Sequence, residues 1–221
     1  MYDAVLFDLD GTLIDTEAIS VLTGRKAFAA LGHAVTPEFM HGMIGKDGTT
    51  TSRLIVAAMP RIDVVRLNSL WAEGFRAAIQ DSVPLKPHAH RVLAGISLPR
   101  AIVTSSRRHE ATTKLGLASL AGYFDEVIVV DDVAVPKPAP DAYLLAARRL
   151  GVSPARCLVF EDSETGAESA HRAGCVVVQV PDILPTAGRW AHHVAPDLLA
   201  GATLAGLHLG HSAATIDGAK R

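Results

Sequence analysis

The chain has 221 residues, and 49% of them are hydrophobic, which is typical of a well-packed globular protein and excludes an intrinsically disordered one. Lys and Arg number 21 against 23 Asp and Glu, so the net charge is only −2. No run of basic residues stands out, which argues against a nucleic acid or an anionic membrane surface as a partner.

Targeting and redox features predict a cytoplasmic protein. Asp8 interrupts the first apolar run, so no signal peptide is recognisable, and no segment is long enough to span a bilayer. Cys157 and Cys175 lie in apolar runs, which predicts buried thiols rather than a disulfide and fits a reducing compartment. The sequence leaves open whether the protein is a monomer or a small homo-oligomer.

The N-terminal segment carries the most informative pattern. The apolar run over residues 4–7 predicts a buried parallel strand, and Asp8-Leu9-Asp10-Gly11-Thr12 follows it directly. Two carboxylates at the carboxyl end of such a strand lie where open α/β sheets bind ligands, and Gly11 allows a tight turn beside a ligand. One carboxylate can attack phosphorus while the other moves a proton, as in phosphoryl transfer through an aspartyl phosphate. An Asp-rich turn without catalytic function is the alternative.

Residues 15–85 contain no convincing strand and are predicted to form four helices. These helices span residues 16–31, a segment that starts at the N-cap Thr36 and Pro37, residues near 50–59, and residues 63–80. The fourth helix carries an apolar stripe with a period near 3.6, made of Val64, Leu67, Trp71, Phe75 and Ala78. The stripe predicts core packing, and the whole insertion predicts a small helical cap domain above the carboxyl edge of the sheet.

From residue 99 onward predicted strands and helices alternate. The strands are 101–103, 126–130, 157–160 and 176–178, and the helices are 107–116, 138–150 and 163–173. This alternation predicts an α/β fold with a doubly wound, Rossmann-like parallel sheet. The predicted domains are a core of residues 1–14 and 86–206, the all-helical cap over 15–85, and a C-terminal tail over 207–221.

The later strands also end in polar groups. Thr104-Ser105-Ser106 offers hydroxyls and free backbone N–H groups suited to phosphate oxygens, although a plain helix cap explains the same residues. Lys137 is fixed between two prolines and is a candidate charge clamp, with a solvated lysine as the alternative. Glu161 and Asp162 would add acidic oxygens to those of the first motif and form a site for a hard cation. Acids, hydroxyls and a lysine at one sheet edge are the groups that metal-assisted phosphoryl transfer needs.

With these residues the chain resembles the haloacid dehalogenase superfamily, in the subgroup whose helical cap is inserted after the first motif. All four motifs of that superfamily are present in order. The first covers residues 8–17, the second is Thr104, the third is Lys137 in Lys-Pro-Ala-Pro-Asp, and the fourth is Glu161-Asp162-Ser163 with Gly166. Together they identify the superfamily and say little about the substrate.

The resemblance implies a role for each matching residue. Asp8 is the nucleophile, and Asp10 is the general acid and then the general base. The phosphate site contains Gly11, Thr104, Ser105, Ser106 and Lys137, with Thr104 hydrogen-bonded to the phosphoryl group and Lys137 neutralising charge. The implied cofactor is Mg²⁺, held by Asp8, the backbone carbonyl of Asp10, Asp162 and, as a further candidate, Glu161.

The implied activity is a Mg²⁺-dependent phosphatase that hydrolyses a small phosphorylated metabolite, in the first place a sugar phosphate. A β-phosphoglucomutase-like phosphomutase is the alternative, and Ser20, at the position of the mutase hinge histidine, favours the phosphatase. A catalytically silent phosphate-binding module is a third reading, which the presence of both the nucleophile and the lysine disfavours. Pro87-His88 replaces the Pro-Gly of many relatives and leaves the shape of the return linker open.

One cap residue is a candidate for substrate selection. Lys46 follows Gly45 between the second and third predicted cap helices, at a position that faces the active site in relatives. It is therefore predicted to bind the substrate, with a solvated loop lysine as the alternative.

Overall fold

The computed structural model describes residues 1–44, 48–80 and 82–210. Its strands are β1 (Ala4–Phe7), β2 (Arg100–Val103), β3 (Glu126–Ile128), β4 (Cys157–Glu161), β5 (Val176–Gln179) and β6 (His193–Val194). Its helices are α1 (Glu17–Ala30), α2 (Pro37–His41), α3 (Gly48–Ala58), α4 (Val64–Ala78), α5 (Ala89–Gly95), α6 (Arg108–Leu117), α7 (Asp141–Arg149), α8 (Glu164–Arg172) and α9 (Leu198–Leu204).

The strands form one parallel sheet in the order β3-β2-β1-β4-β5-β6. The predicted doubly wound α/β fold with a helical cap is therefore confirmed. β1 lies between β2 and β4, since Phe7 is in register with both Ile102 and Phe160. The carboxyl ends of β1, β2 and β4 consequently lie side by side, which is where the sequence places the first, second and fourth motifs.

Alternate residues of the strands pack on opposite faces of the sheet. Phe7 stacks on Phe160, with ring centroids 5.1 Å apart, in the cluster that also receives α5, α6 and α9. On the other face Leu6 and Val159 meet mainly alanines of α7 and α8, together with Tyr143. Small side chains let these two helices approach the sheet closely. Both faces are covered, which agrees with the continuous apolar run of the central strand β1.

The predicted strand and helix limits need two corrections. β3 ends at Ile128 rather than at residue 130, because residues 130–132 form a 3₁₀ turn. α7 begins at Asp141 rather than at Pro138. A residue before a proline is disfavoured in the α conformation, and this excludes both Lys137 and Ala139 from the helix. The two-residue strand β6 has no recognisable sequence pattern.

The cap helices enclose a separate apolar cluster around Phe28, whose ring contacts Phe39 and Trp71. Of the predicted stripe on α4, the first four residues pack inward, whereas Ala78 is exposed and its neighbour Ile79 is buried instead. Thr36 caps α2 as predicted, accepting a hydrogen bond from the backbone N–H of Phe39 at 3.2 Å.

The two segments that join cap and core are hydrogen-bonded to each other. Ile14 and Leu85 form an antiparallel bridge, and the Lys86 N–H donates to the Leu13 carbonyl at 2.9 Å. His88 follows with φ of 64°. This is the left-handed conformation that glycine adopts without strain, so the linker keeps the turn that Pro-Gly would make. The exact domain boundaries stay predictions.

Residues 207–210, which the sequence analysis assigned to the tail, pack on the core. Leu207 is buried, Leu209 contacts the larger sheet cluster, and the Gly210 N–H donates to the Gly95 carbonyl at 2.8 Å. Residues 211–221 lie outside the described residues. Cys157 and Cys175 are buried free thiols, as predicted. No helix within the described ranges has the length and apolar character to cross a membrane.

Candidate active site

Asp8 is buried at the carboxyl end of β1. Its backbone N–H donates to the Phe160 carbonyl, and its Oδ1 accepts a hydrogen bond from Lys137 Nζ at 2.8 Å. Burial raises the pKa of Asp8 to about 7; Lys137 opposes this shift, and Glu161 and Asp10 add to it. The carboxylate is therefore a confined anion whose charge depends on the cations beside it.

Lys137 is held in place by three acceptors. Its Nζ donates to Asp8 Oδ1 at 2.8 Å, to Glu161 Oε1 at 2.6 Å and to the carbonyl of Val103 at 2.8 Å. Three is the full donor capacity of an ammonium group. Burial disfavours the charged form, but Asp8 and Glu161 outweigh burial and hold the Lys137 pKa above its usual value. The lysine is thus a fixed cation beside Asp8, and its role as a charge clamp stays a prediction.

Glu161 is fully buried behind Lys137. Its Oε1 also accepts a hydrogen bond from the Tyr143 hydroxyl at 2.7 Å, and its Oε2 accepts from the Ser163 hydroxyl at 3.2 Å. Gly166 makes room for it, because a Cβ there would lie 1.8 Å from Glu161 Oε1. These contacts orient the glutamate towards Lys137. A direct bond from Glu161 to a metal stays a prediction.

Asp162 approaches the first motif from β4. Its Oδ1 accepts a hydrogen bond from the Thr12 hydroxyl at 3.3 Å. Gly11 has φ of 84°, and a Cβ at this position would lie 2.5 Å from Asp162 Oδ2. Glycine is therefore required here both by the backbone turn and by the close approach of the aspartate. Burial, followed by Asp8 and Glu161, raises the pKa of Asp162 well above its usual value.

Asp8, Glu161 and Asp162 form the acidic cluster. Each offers a carboxylate oxygen within 4.8 Å of the other two, and all three residues are buried. Carboxylates confined this closely repel one another, which is part of the reason why the pKa values of Asp8 and Asp162 are raised. A divalent cation would relieve that repulsion, and a purely oxygen donor set suits Mg²⁺. The residues present therefore fit the implied metal.

The side chain of Asp10 has different partners. Its Oδ1 accepts hydrogen bonds from the Thr16 hydroxyl and from Lys114 Nζ, and its Oδ2 accepts from the same Nζ and from the Ser106 hydroxyl. Asp8 and Asp10 thus bind two different lysines. Thr104 is buried, and its hydroxyl accepts from the Ser106 N–H at 3.0 Å.

A cleft of about 530 Å³ joins these groups. Its lining contains seven of the predicted catalytic, phosphate-binding and metal-binding residues: Asp8, Asp10, Thr104, Ser105, Ser106, Lys137 and Asp162. Ser163 and Gly166 of the fourth motif also line it. Glu161 lies behind Lys137, and Gly11 lies against Asp162. Lys46 is outside the described residues, so its predicted role stays a prediction.

Sequence reasoning missed four residues of the site: Thr16, Glu17, Lys114 and Tyr143. Glu17 lines the cleft, and burial, together with Asp182, Asp8 and Asp10, raises its pKa to about 8. Thr16 and Glu17 are the last two residues of the first motif, so their position was an available signal, although neither received a role. Lys114 and Tyr143 lie within helices, where no local pattern marks them.

The comparisons with known proteins agree with this geometry. A family model described as "Haloacid dehalogenase-like hydrolase" matches residues 5–180. Fructose-1-phosphate phosphatase YqaB of Escherichia coli (strain K12) is 36% identical over 185 residues, which are 81% of this chain and 96% of that protein. Hexitol phosphatase A of the same organism is 37% identical over 186 residues, 79% of this chain and 81% of that protein.

The solved structures show the same relationship. The crystal structure of a HAD family hydrolase from Deinococcus radiodurans R1 with bound phosphate and sodium has a TM-score of 0.80 at 28% identity. The match covers 95% of this chain and 98% of the other. The fold and the site thus define a hydrolase with a parallel α/β core and a helical cap. The chain belongs to the haloacid dehalogenase-like hydrolases, and within them it is a phosphoric monoester hydrolase.

Proposed function

We propose that the protein is a Mg²⁺-dependent phosphatase that hydrolyses a small phosphorylated carbohydrate through an aspartyl phosphate on Asp8. The observation that carries the proposal is the acidic cluster with Lys137 bonded to Asp8 at the end of β1. A phosphate dianion is repelled by an anionic nucleophile, so cations must flank the reacting oxygens. Asp8, Asp162 and the Asp10 carbonyl would hold Mg²⁺, which would supply positive charge in addition to that of Lys137.

In the first half of the reaction, an Asp8 carboxylate oxygen attacks phosphorus while the bond from phosphorus to the leaving oxygen breaks. Asp10 gives its proton to that oxygen, so the carbohydrate departs as a neutral alcohol. Lys137 stays bonded to Asp8 and offsets charge on the phosphoryl group. Burial of Asp8 limits competing solvation and strengthens these electrostatic contacts.

In the second half, Asp10 takes a proton from water, and the water oxygen attacks phosphorus. The bond between phosphorus and the Asp8 oxygen breaks, which releases phosphate and restores the Asp8 carboxylate. Asp10 thus alternates between acid and base, whereas Asp8 only forms and loses a covalent bond. The two aspartates need different surroundings for these tasks, and they have different hydrogen-bond partners in the structure.

The lining of the cleft supports an uncharged leaving group. Among its described residues Lys137 is the one Lys or Arg, and it is already bonded to Asp8 and Glu161. The remaining lining includes the acids Glu17 and Glu110 and the hydroxyl of Ser105. Carboxyl groups and hydroxyls hydrogen-bond sugar hydroxyls, and a carboxylate repels a second phosphate. The names of the two relatives, which act on fructose 1-phosphate and on hexitol phosphates, agree with this class.

A turnover screen tests the proposal. Purified protein is incubated with hexose, pentose and polyol monophosphates, and phosphate release is measured with Mg²⁺, with excess chelator and with Ca²⁺. We expect release from carbohydrate monophosphates with Mg²⁺, none with chelator and little with Ca²⁺, whose larger and looser coordination shell disturbs in-line geometry. Full turnover in chelator would refute the metal requirement.

The phosphomutase alternative is tested in the same preparation. A mutase returns the phosphoryl group to a sugar, so it needs a bisphosphate primer and releases little phosphate. Ser20 offers no imidazole at the position of the mutase hinge histidine, which favours hydrolysis. With β-glucose 1-phosphate we expect free phosphate to exceed glucose 6-phosphate; dominant isomerisation would replace the phosphatase by the mutase.

A further inference from the structure

Asp10 is bound by a lysine to which the mechanism above gives no task. Lys114 Nζ donates to Asp10 Oδ1 at 2.8 Å, to Asp10 Oδ2 at 2.9 Å and to the Ser106 hydroxyl at 3.0 Å. These three bonds use every donor of the ammonium group. The Lys114 side chain is only 12% exposed, so the contact is a shielded, charge-assisted pair and not a solvated surface ion pair.

The position of Lys114 connects three parts of the molecule. It lies on α6, ten residues after Thr104, between Ala111 and Leu115, which pack against the sheet. Its Nζ also lies 6.0 Å from the ring centroid of Phe75, a residue of the cap helix α4. The ammonium group is therefore held between the core helix, the first motif and the cap.

The geometry of this contact fixes the plane of the Asp10 carboxylate. One donor on one oxygen would leave the group free to rotate about its last torsion, whereas one ammonium on both oxygens opposes that rotation. In addition, the Thr16 hydroxyl donates to Asp10 Oδ1 and the Ser106 hydroxyl donates to Asp10 Oδ2. Proton transfer needs the carboxyl oxygen within hydrogen-bond reach of the leaving oxygen, so a loss of orientation slows the step without removing the acid.

We propose that Lys114 is a positioning residue that sets the orientation of the Asp10 carboxylate for proton transfer. This inference rests on the proposed function, because it assigns Asp10 the proton-transfer role. It has a specific kinetic consequence. A sugar alkoxide leaves only when protonated, whereas a nitrophenolate leaves without that help. Loss of Lys114 therefore slows phosphorylation of Asp8 by a sugar phosphate more than phosphorylation by an aryl phosphate.

The test measures the single-turnover rate of Asp8 phosphorylation by rapid quench and mass spectrometry, with fructose 1-phosphate and 4-nitrophenyl phosphate as probes. The variant is Lys114→Met, Lys114→Arg is the rescue variant, and Lys26→Met, on the exposed side of α1, is the matched control. For Lys114→Met we expect about a tenfold loss with fructose 1-phosphate, a KM within about twofold of wild type, and about a threefold loss or less with the aryl phosphate. Arginine should restore most of the rate, and the control should match wild type.

Equal losses with both probes, or no loss with fructose 1-phosphate, would overturn the proposal for Lys114. Circular dichroism checks folding; if Lys114→Met is unfolded, Lys114→Gln is measured in the same way and judged by the same criterion. Failure of the proposed function looks different, since the wild-type protein would then form no Asp8 adduct with either probe.

Discussion

Two aspartate–lysine pairs of the site differ in exposure and in anchoring, although their aspartates, Asp8 and Asp10, are separated by a single residue of the chain. Asp8 and Lys137 are 10% and 6% exposed, and Lys137 is anchored on the sheet edge by Glu161 and the Val103 carbonyl. Asp10 and Lys114 are 26% and 12% exposed, and their partners come from α6, the loop after β2 and the start of α1. A nucleophile needs a rigid, dry position, whereas a group that gives and takes a proton needs access to substrate and water. Since both groups are aspartates, the comparison indicates that their surroundings, and not their residue type, suit them to different chemical roles.

The largest expected effect comes from replacing the two aspartates. On the proposed mechanism, Asp8→Asn replaces the attacking carboxylate by a poorly nucleophilic amide, so turnover should fall to background and no adduct should form. Asp10→Asn keeps the nucleophile but loses the proton shuttle, so an aryl phosphate should still phosphorylate Asp8, and the adduct should persist. Turnover of Asp10→Asn should be slower than that of the wild type by roughly a hundred- to ten-thousand-fold. Mass spectrometry of quenched protein detects the phosphate adduct, and an adduct in Asp8→Asn would contradict the assignment of roles.

Replacing each of the two lysines compares how much the two pairs contribute to the free energy of unfolding. Lys137→Met leaves Asp8 and the fully buried Glu161 without their cation, and breaking a buried pair in this way costs about 3–5 kcal/mol. Lys114→Met removes the cation of a more exposed pair and should cost less, about 2 kcal/mol. Urea denaturation gives both free energies of unfolding. Equal losses would mean that the two sites do not differ in rigidity as the structure indicates.

The metal-free protein should lose stability as the pH rises. Burial raises the pKa of Asp8 to about 7 and that of Glu17 to about 8, while both titrate near 4 in the unfolded chain. The unfolded state therefore releases these protons first, and stabilisation present below about pH 4 is lost towards pH 8. In chelator we expect the free energy of unfolding to fall by more than about 1 kcal/mol between pH 5 and pH 8.

Magnesium and one variant serve as controls for that pH dependence. We expect Mg²⁺ to bind the ionised cluster of the folded state, so its addition should reduce the fall in the free energy of unfolding. Asp8→Asn removes one of these titrations and should flatten the curve in chelator. A free energy of unfolding that rises with pH in chelator would show that the carboxylates are not confined as described.

The smallest expected effect lies in the return linker, away from both pairs. His88 has φ of 64°, a conformation that costs a non-glycine residue roughly 1–2 kcal/mol, partly offset by the greater chain entropy of glycine. His88→Gly should therefore raise the free energy of unfolding by up to about 1 kcal/mol and leave kcat/KM unchanged. Thermal and urea unfolding measure the change, and destabilisation would mean that contacts of the imidazole outweigh the backbone strain.

Most of the core could be predicted because its signals are local. The apolar runs of β1, β2, β4 and β5 predict buried parallel strands, and the polar residues that follow them predict the edge where Asp8, Thr104 and Asp162 meet. α7 begins at Asp141 and not at the predicted Pro138, because the two prolines before Asp141 keep the residues that precede them out of the helix. β6 has only two residues, too few for any periodicity.

The sequence by itself determined the fold class, the order of the four motifs and the residues that meet at the sheet edge, because strand periodicity and motif spacing are properties of neighbouring residues. Only the tertiary structure decided that Asp10 pairs with a second lysine and that Glu161 binds a tyrosine. Lys114 reaches Asp10 across 104 positions of the chain, and Tyr143 reaches Glu161 from a helix on the other face of the sheet. Such contacts depend on how helices pack against the sheet, and packing joins residues that no local pattern relates.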